Sequence, residues 1–153
     1  TFLTSAGHGT MGYDIPSSIG AAMASPEKRV VCIVGDGSAL MNIQELAYLK
    51  NSDLDIKIIV FNNSRLGIVS QFQLITWGVD PTTGDFRPQD FKSIAEGFGI
   101  NAEKIVKNSE IKEKIEWLWS QKGPALLDVM IDPSADVRPM LLAGQTMDEM
   151  WTG

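Results

Sequence analysis

Two short runs, Arg29 to Val34 and Ile56 to Phe61, are rich in β-branched residues and apolar through their lengths instead of alternating. A strand with one wet face alternates polar and apolar side chains, whereas a strand covered on both faces does not, so both runs read as buried parallel strands. Parallel neighbours need a crossover between them, and the intervening segment supplies one: the glycine turn Gly35-Asp36-Gly37-Ser38 and a helical stretch from Asn42 to Lys50. Strand, turn, helix and strand make a βαβ unit, whose connection is expected to be right-handed. The fold class this predicts is α/β, a parallel sheet with helices on both faces.

The rest of the chain fits around that unit. Ile15 to Ala24 reads as a helix with Pro16 in its first turn, where a missing N–H costs nothing. Gly67 to about Trp77 reads as a short helix, and the polar stretch Gly78 to Gln89, with Pro81, Gly84 and Pro88, as a loop long enough to suggest a closing lid. A helix from Asp90 to Gly97, a strand around Lys104 to Val106, a helix from Ser109 to Gln121 with Ser109 as N-cap, and a strand from Ala125 to Ile131 follow. Residues 132–153 are irregular but carry Met140, Leu141, Leu142, Met147, Met150 and Trp151, too apolar a set to hang free, so this arm is expected to pack on something.

At 153 residues the chain suits one domain with a real core. Its 44% hydrophobic residues and mean hydropathy of +0.00 describe a globular protein without a membrane-spanning segment. Nineteen acids against thirteen bases give a net charge of −6 and no basic stripe, so nucleic acid is not an expected partner. Cys32, the single cysteine, excludes an intrachain disulfide and points to a reducing compartment, with the cytoplasm as the expected address. The first residue is Thr1, and no charged segment leading into an apolar one opens the chain, so it is expected to begin within a longer protein.

In an open parallel sheet ligands bind at the carboxyl ends of the strands, where Gly35-Asp36-Gly37-Ser38 and Asn62-Asn63 both fall. Asp36 offers a hard anionic oxygen and Asn63 an amide oxygen, a pair suited to Mg²⁺, which takes few protein ligands and completes its octahedron with phosphate oxygens and water. Gly37 permits close backbone approach, while Ser38 and the N–H groups opening the following helix would donate to anionic oxygens, so the ligand expected is a diphosphate. Singly, each piece has an ordinary structural reading: Gly-Asp-Gly is a common turn, Asn-Asn ends many strands and Ser38 would cap a helix. The combination in its strand context is far more specific. A nicotinamide-binding fold fits least, because G-D-G-S is not G-x-G-x-x-G and Asp36 would repel a diphosphate unless a cation intervened.

Gly35-Asp36-Gly37-Ser38 through Asn62-Asn63 resembles the signature of thiamine diphosphate-dependent enzymes. Gly7-His8-Gly9-Thr10-Met11-Gly12-Tyr13, with Ile15-Pro16 and Ile19-Gly20-Ala21-Ala22, is similar to the acetolactate synthase-like branch. So are Asn62-Asn63 to Gly67-Ile68-Val69 and Gln71-Phe72-Gln73, and more thinly Gly123-Pro124. The resemblance implies that residues 1–131 bind Mg²⁺ and thiamine diphosphate, that 132–153 form a carboxyl-terminal arm, and that pyrimidine-binding and middle domains lie upstream of this chain.

Residue by residue, it implies that Asp36 and Asn63 ligate Mg²⁺ by side chain and Arg65 by its backbone carbonyl. Gly35, Gly37 and Ser38 would hold the diphosphate, Met11 would wedge between the cofactor rings, the Gly9 carbonyl would orient the 4′-amino group, and Ile68 would contact the cofactor where it borders the substrate side. Plain core packing is the alternative for Met11. Gln71 and Phe72 would line the substrate side, Phe72 standing where the synthase branch commonly has Trp, a departure that bears on the acceptor. His8 tempts an assignment to proton transfer, but a half-exposed structural role is preferred. The activating glutamate is expected from another domain, in the partner subunit of a homodimer or larger assembly. Glu45 reads as a surface or interface carboxylate, and no catalytic residue is assigned within this chain. The implied activity is decarboxylation of a 2-oxo acid with carboligation, and the chain alone is expected to be inactive. The competing readings are a decarboxylase or another carboligase, and a non-catalytic cofactor-binding or assembly module.

Overall fold

The computed structural model describes residues 1–79 and 89–153. Strands β1 (Val30–Gly35), β2 (Ile56–Asn62), β3 (Asn101–Ile105) and β4 (Ala125–Met130) form one sheet in the order β1-β2-β4-β3. Every pairing is parallel. Gly35 lies opposite Phe61 in the register, so the residues leaving β1 and β2 emerge side by side.

Helices cover the two faces unequally. On one face α1 (Asp14–Ala24), α2 (Asp36–Met41), α3 (Leu46–Lys50) and α5 (Phe91–Gly97) enclose the main core, in which Cys32, Val34, Ile56, Ile58, Val60 and Leu126 of the strands are buried. On the other, α6 (Ile111–Ser120) covers Ile105, Ala125 and Leu127 through Leu118 and Trp117. The β1 side of that second face is barer, with Ile33 60% exposed and Val31 and Phe61 over 40%. Side chains alternate along each strand, so Ile58 and Ile59 of one run serve opposite cores. The helix α4 (Gly67–Trp77) follows β2.

Several boundaries differ from the sequence-based expectation. The helix predicted from Asn42 to Lys50 begins at Asp36 itself and is broken: α2 stops at Met41, a 3₁₀ turn covers Ile43–Glu45, and α3 follows. Asn42 marks the break, its side-chain amide donating to the Gly12 carbonyl at 2.6 Å and so tying it to the chain before α1. The strand expected at Lys104 to Val106 runs from Asn101 to Ile105. Ser109 is not the cap of α6. The Glu110 carboxylate accepts from the N–H groups of Val106 and Lys107 at 2.9 and 3.0 Å, and a 3₁₀ turn over Asn108–Glu110 leads into the helix. Asp90 caps α5, accepting from the Ser93 hydroxyl at 2.8 Å.

Residues 132–153 close on themselves and on α4. Met140 and Trp151 exchange backbone hydrogen bonds of 2.9 Å, and the Arg138 guanidinium lies 5.2 Å from the Trp151 ring centroid. The Gln71 side chain donates to the Val137 carbonyl at 2.8 Å and accepts from its N–H at 2.9 Å, pairing as a strand would. Not every apolar residue of the arm is covered, for Met147 and Leu141 remain exposed. Of the loop expected at 78–89, residues 80–88 lie outside the described residues, and the idea of a lid there with them. Among the described residues no helix is long and apolar enough to cross a membrane.

Candidate functional site

The parallel register delivers Asp36 and the Asn63 turn to the same end of the sheet. Asp36 is the first residue of α2 and is buried. One carboxylate oxygen accepts from the N–H of Gly37 at 2.7 Å and the other from the N–H of Ser64 at 2.6 Å, so this side chain joins the ends of β1 and β2. Burial raises its carboxyl above the ordinary carboxylate value and the charge of Asp128 adds to the rise, against the N–H groups of Gly37, Ser64 and Asn63, which lower it. An acid held at such a cost in the buried end of a sheet is poised to gain from a cation.

Asn63 is half-buried, with its side-chain oxygen accepting from the Arg65 N–H at 3.2 Å. Ser64, between them, has a left-handed φ of 58°, uncommon for a residue with a side chain. Gly67 fits the same turn, since a Cβ there would meet the Asn63 side-chain nitrogen at 3.1 Å. The Arg65 guanidinium turns away to donate to the Pro133 carbonyl at 2.6 Å.

Beside this turn lies a cleft of about 310 Å³ whose lining includes Gly9, Met11, Asp14, Gly35, Ser38 and Phe61. Four of the residues singled out from sequence, Gly9, Met11, Gly35 and Ser38, therefore share one cleft, with Asp36 and Gly37 buried next to it in the chain. The approach to Met11 is held by Gly12, whose N–H donates to the Ser38 hydroxyl at 2.8 Å while that hydroxyl donates to Asp14 at 2.6 Å. Gly12 has φ 81°, and a Cβ there would fall 2.9 Å from the Asn42 side-chain nitrogen, so the position demands glycine.

Ile68 is exposed on α4, and Phe72, 36% exposed, stacks edge to face on Trp77 with centroids 5.9 Å apart. Gln71 is buried, with both ends of its amide engaged by Val137. His8 is exposed in a 3₁₀ turn over Ala6–His8, and Glu45 is half-buried. Sequence reasoning missed Asp14, Asn42 and Ser64. Of these only Asp14, an acid in the first turn of a helix just past Met11-Gly12, left a readable signal.

The donors gathered here fit a cation held together with a phosphate ligand. Among the described residues no group of three or more His, Cys, Asp or Glu could hold a metal unaided. Asp36 with the amide and carbonyl oxygens of the Asn63 turn would supply a partial oxygen set, of the kind Mg²⁺ completes with phosphate oxygens and water. The buried carboxylate, the adjoining cleft and the first-turn N–H groups of α2 together suit a diphosphate bound through a divalent ion.

The chain belongs to the family described as thiamine pyrophosphate enzyme, C-terminal TPP binding domain, whose pattern it matches over residues 1–129. Within that class it is similar to the acetolactate synthase isozyme 2 large subunit of Escherichia coli (strain K12), 39% identical over 151 residues that make up 97% of this chain and 27% of that protein. The isozyme 1 large subunit of the same organism is 40% identical over the same shares. A probable acetolactate synthase large subunit of Methanocaldococcus jannaschii is 41% identical over 94% of this chain and 24% of its own length. The chain thus spans about a quarter of the length of these relatives.

Proposed function

We propose that this chain is the diphosphate- and Mg²⁺-binding domain of a thiamine diphosphate-dependent enzyme that decarboxylates a 2-oxo acid and joins the remainder to a second carbonyl, as in acetolactate synthesis. The observation that carries the reading is the bridge from Asp36 to the Ser64 N–H at 2.6 Å, which sets a buried acid and the Asn63 turn together beside the Gly9–Met11 cleft. When bound, thiamine diphosphate supplies a nucleophilic carbon for the 2-oxo acid and a sink for the electrons left as CO₂ departs. The protein's own part is to hold and orient.

Asp36, Asn63 and the Arg65 carbonyl hold Mg²⁺. Gly35, Gly37 and Ser38 hold the diphosphate, Ser38 through its backbone N–H because its hydroxyl is engaged by Gly12 and Asp14. Met11 fixes the bend of the cofactor, with the Gly9 carbonyl accepting from its amino group, and Ile68 contacts the cofactor on the substrate side. Phe72 borders the substrate. Gln71, its amide spent on Val137, acts there by anchoring the arm against α4. The activating glutamate comes from the pyrimidine-binding domain of a partner subunit, in a cytoplasmic homodimer or larger assembly, and the 153 residues alone do not turn over. Detectable decarboxylation of pyruvate by this chain alone would sink that last statement.

The test is made on the full-length protein with thiamine diphosphate and Mg²⁺, supplied with labelled pyruvate alone and with other 2-oxo acids, products being identified by NMR. An acetolactate-type product that vanishes in Asp36→Ala is the expected result. Free aldehyde instead would favour the decarboxylase reading. No product from any mixture would leave an untried substrate or the non-catalytic module, which the presence or absence of the activating glutamate upstream separates.

A further inference from the structure

A second acid is buried below the Asn63 turn, and no part in holding the cation or the diphosphate falls to it. Asp128, in the middle of β4, has no exposed surface. Its position opposite Val60 and between Leu127 and Val129 suits a β-branched apolar residue, yet the sequence places a carboxylate there. One of its oxygens accepts from the Asn62 side-chain amide at 2.9 Å. The other accepts from the Phe91 N–H at 3.2 Å and lies 3.2 Å from the Lys104 ammonium, which also reaches Asp90 at 3.5 Å.

Asn62 is equally buried, and every polar atom of its side chain is engaged. The amide nitrogen donates to Asp128 and, at 2.9 Å, to the Gln89 carbonyl, and the amide oxygen accepts from the Ser64 hydroxyl at 3.4 Å. Its backbone carbonyl accepts from the Ile131 N–H at 3.0 Å. The residue that directly precedes Asn63 therefore has no freedom to rotate. Beyond it the chain enters the left-handed conformation at Ser64 that turns its N–H onto Asp36. Asp128, Asn62, Ser64 and Asp36 form one hydrogen-bonded line from the centre of β4 to the cation-binding carboxylate.

We propose that Asp128 is a positioning residue for the cation site, fixing through Asn62 the path by which Asn63, Ser64 and Arg65 leave β2. The inference rests on the assignment of a divalent cation to Asp36 and Asn63. Asp128 does not touch the cation. It sets the angle of the turn that does, and through Phe91 it pins the start of α5 to the same hub. Groups that orient the ligands of a metal commonly change its affinity tenfold to a hundredfold when removed.

The test is Mn²⁺ binding by the full-length protein with thiamine diphosphate, followed by the electron paramagnetic resonance signal of the free ion, with folding checked by circular dichroism. Asp128→Asn keeps the shape but turns an amide nitrogen toward donors that need an acceptor, and is expected to weaken Mn²⁺ binding about tenfold. Asn62→Ala is expected to do the same, and the double variant to lose no more than either single one, because both act through one contact. Unchanged Mn²⁺ affinity in folded Asp128→Asn, or losses that multiply in the double variant, would overturn the proposal. Should Asp128→Asn not fold, Asn62→Ala decides alone, and unchanged affinity there overturns it equally. Asp36→Ala separates the two readings: its failure to lose Mn²⁺ would remove the cation assignment and this proposal with it, whereas loss there beside unchanged binding in the other variants removes this proposal only.

Discussion

Gly12 shows how narrowly one residue can be specified. Its φ of 81° and the 2.9 Å and 3.1 Å approaches that a Cβ would make to Asn42 and Met41 leave no room for a side chain. Gly12→Ala should therefore cost about 1–3 kcal/mol in the urea unfolding of the full-length protein. Because Gly12 follows Met11 and binds Ser38, thiamine diphosphate affinity should fall with it, and a variant with unchanged unfolding and cofactor titrations would refute this account. At this scale the sequence was partly legible. That Asp36 and the Asn63 turn would meet was readable, because both follow neighbouring parallel strands. The parts of Ser64 and Asp128 were not, since their importance lies in contacts with residues 28 and 66 positions away, which no local pattern records.

Among the elements, α4 and the arm that follows β4 are joined by Gln71 as two strands would be, with a donor and an acceptor matched to one backbone residue. Gln71→Met keeps the length of the side chain and removes both bonds. At roughly 0.5–1.5 kcal/mol for each, the Val137 amide should exchange with solvent about tenfold faster or more, read by hydrogen exchange on the full-length protein. Unaltered exchange would mean that the arm is held elsewhere. The strands β1, β2 and β4 were readable because their runs are apolar but for Lys57 and Asp128, although the expected cover on both faces fails for β1, whose Val31 and Ile33 are exposed. The edge strand β3 pairs with β4, buries Ala102 and Ile105, and carries two successive charged residues, Glu103 and Lys104, between them, so no apolar run marked its true start. The helix after β1 misled for another reason. Gly35-Asp36-Gly37-Ser38 read as a turn and the helix as starting at Asn42, whereas the structure starts the helix at Asp36 and breaks it at Asn42, whose amide is committed to Gly12 across the fold.

For the molecule as a whole, charge is distributed along the strands. Asp36 and Asp128 are buried toward the carboxyl end of the sheet, while Lys57, fully buried, lies near the amino end, where it donates to the carbonyls of Gln121 and Gly123 and pairs with Asp55 at 2.5 Å. Partial burial raises the Asp55 carboxyl, but hydrogen bonds and charge from Lys57 and Arg29 outweigh it and hold the group below its ordinary value. A depressed acid stabilises the folded state at pH values above its unfolded pKa, and that stability is lost as pH falls through the lower folded value. Below about pH 4 the parent's unfolding midpoint should therefore decline more steeply than that of Asp55→Asn, and parallel acid profiles would exclude the pair as a source of acid sensitivity. The pairing of Gly35 with Phe61 also governs which changes of length this molecule can absorb. A residue gained or lost between α3 and β2 lies outside the strands and leaves Asp36 facing Ser64. The same change within β2 exchanges the two faces of the strand on one side of it, either turning Lys57 into the apolar core or carrying the Asn63 turn off its acid, so the strand tolerates such changes less well than the connections do.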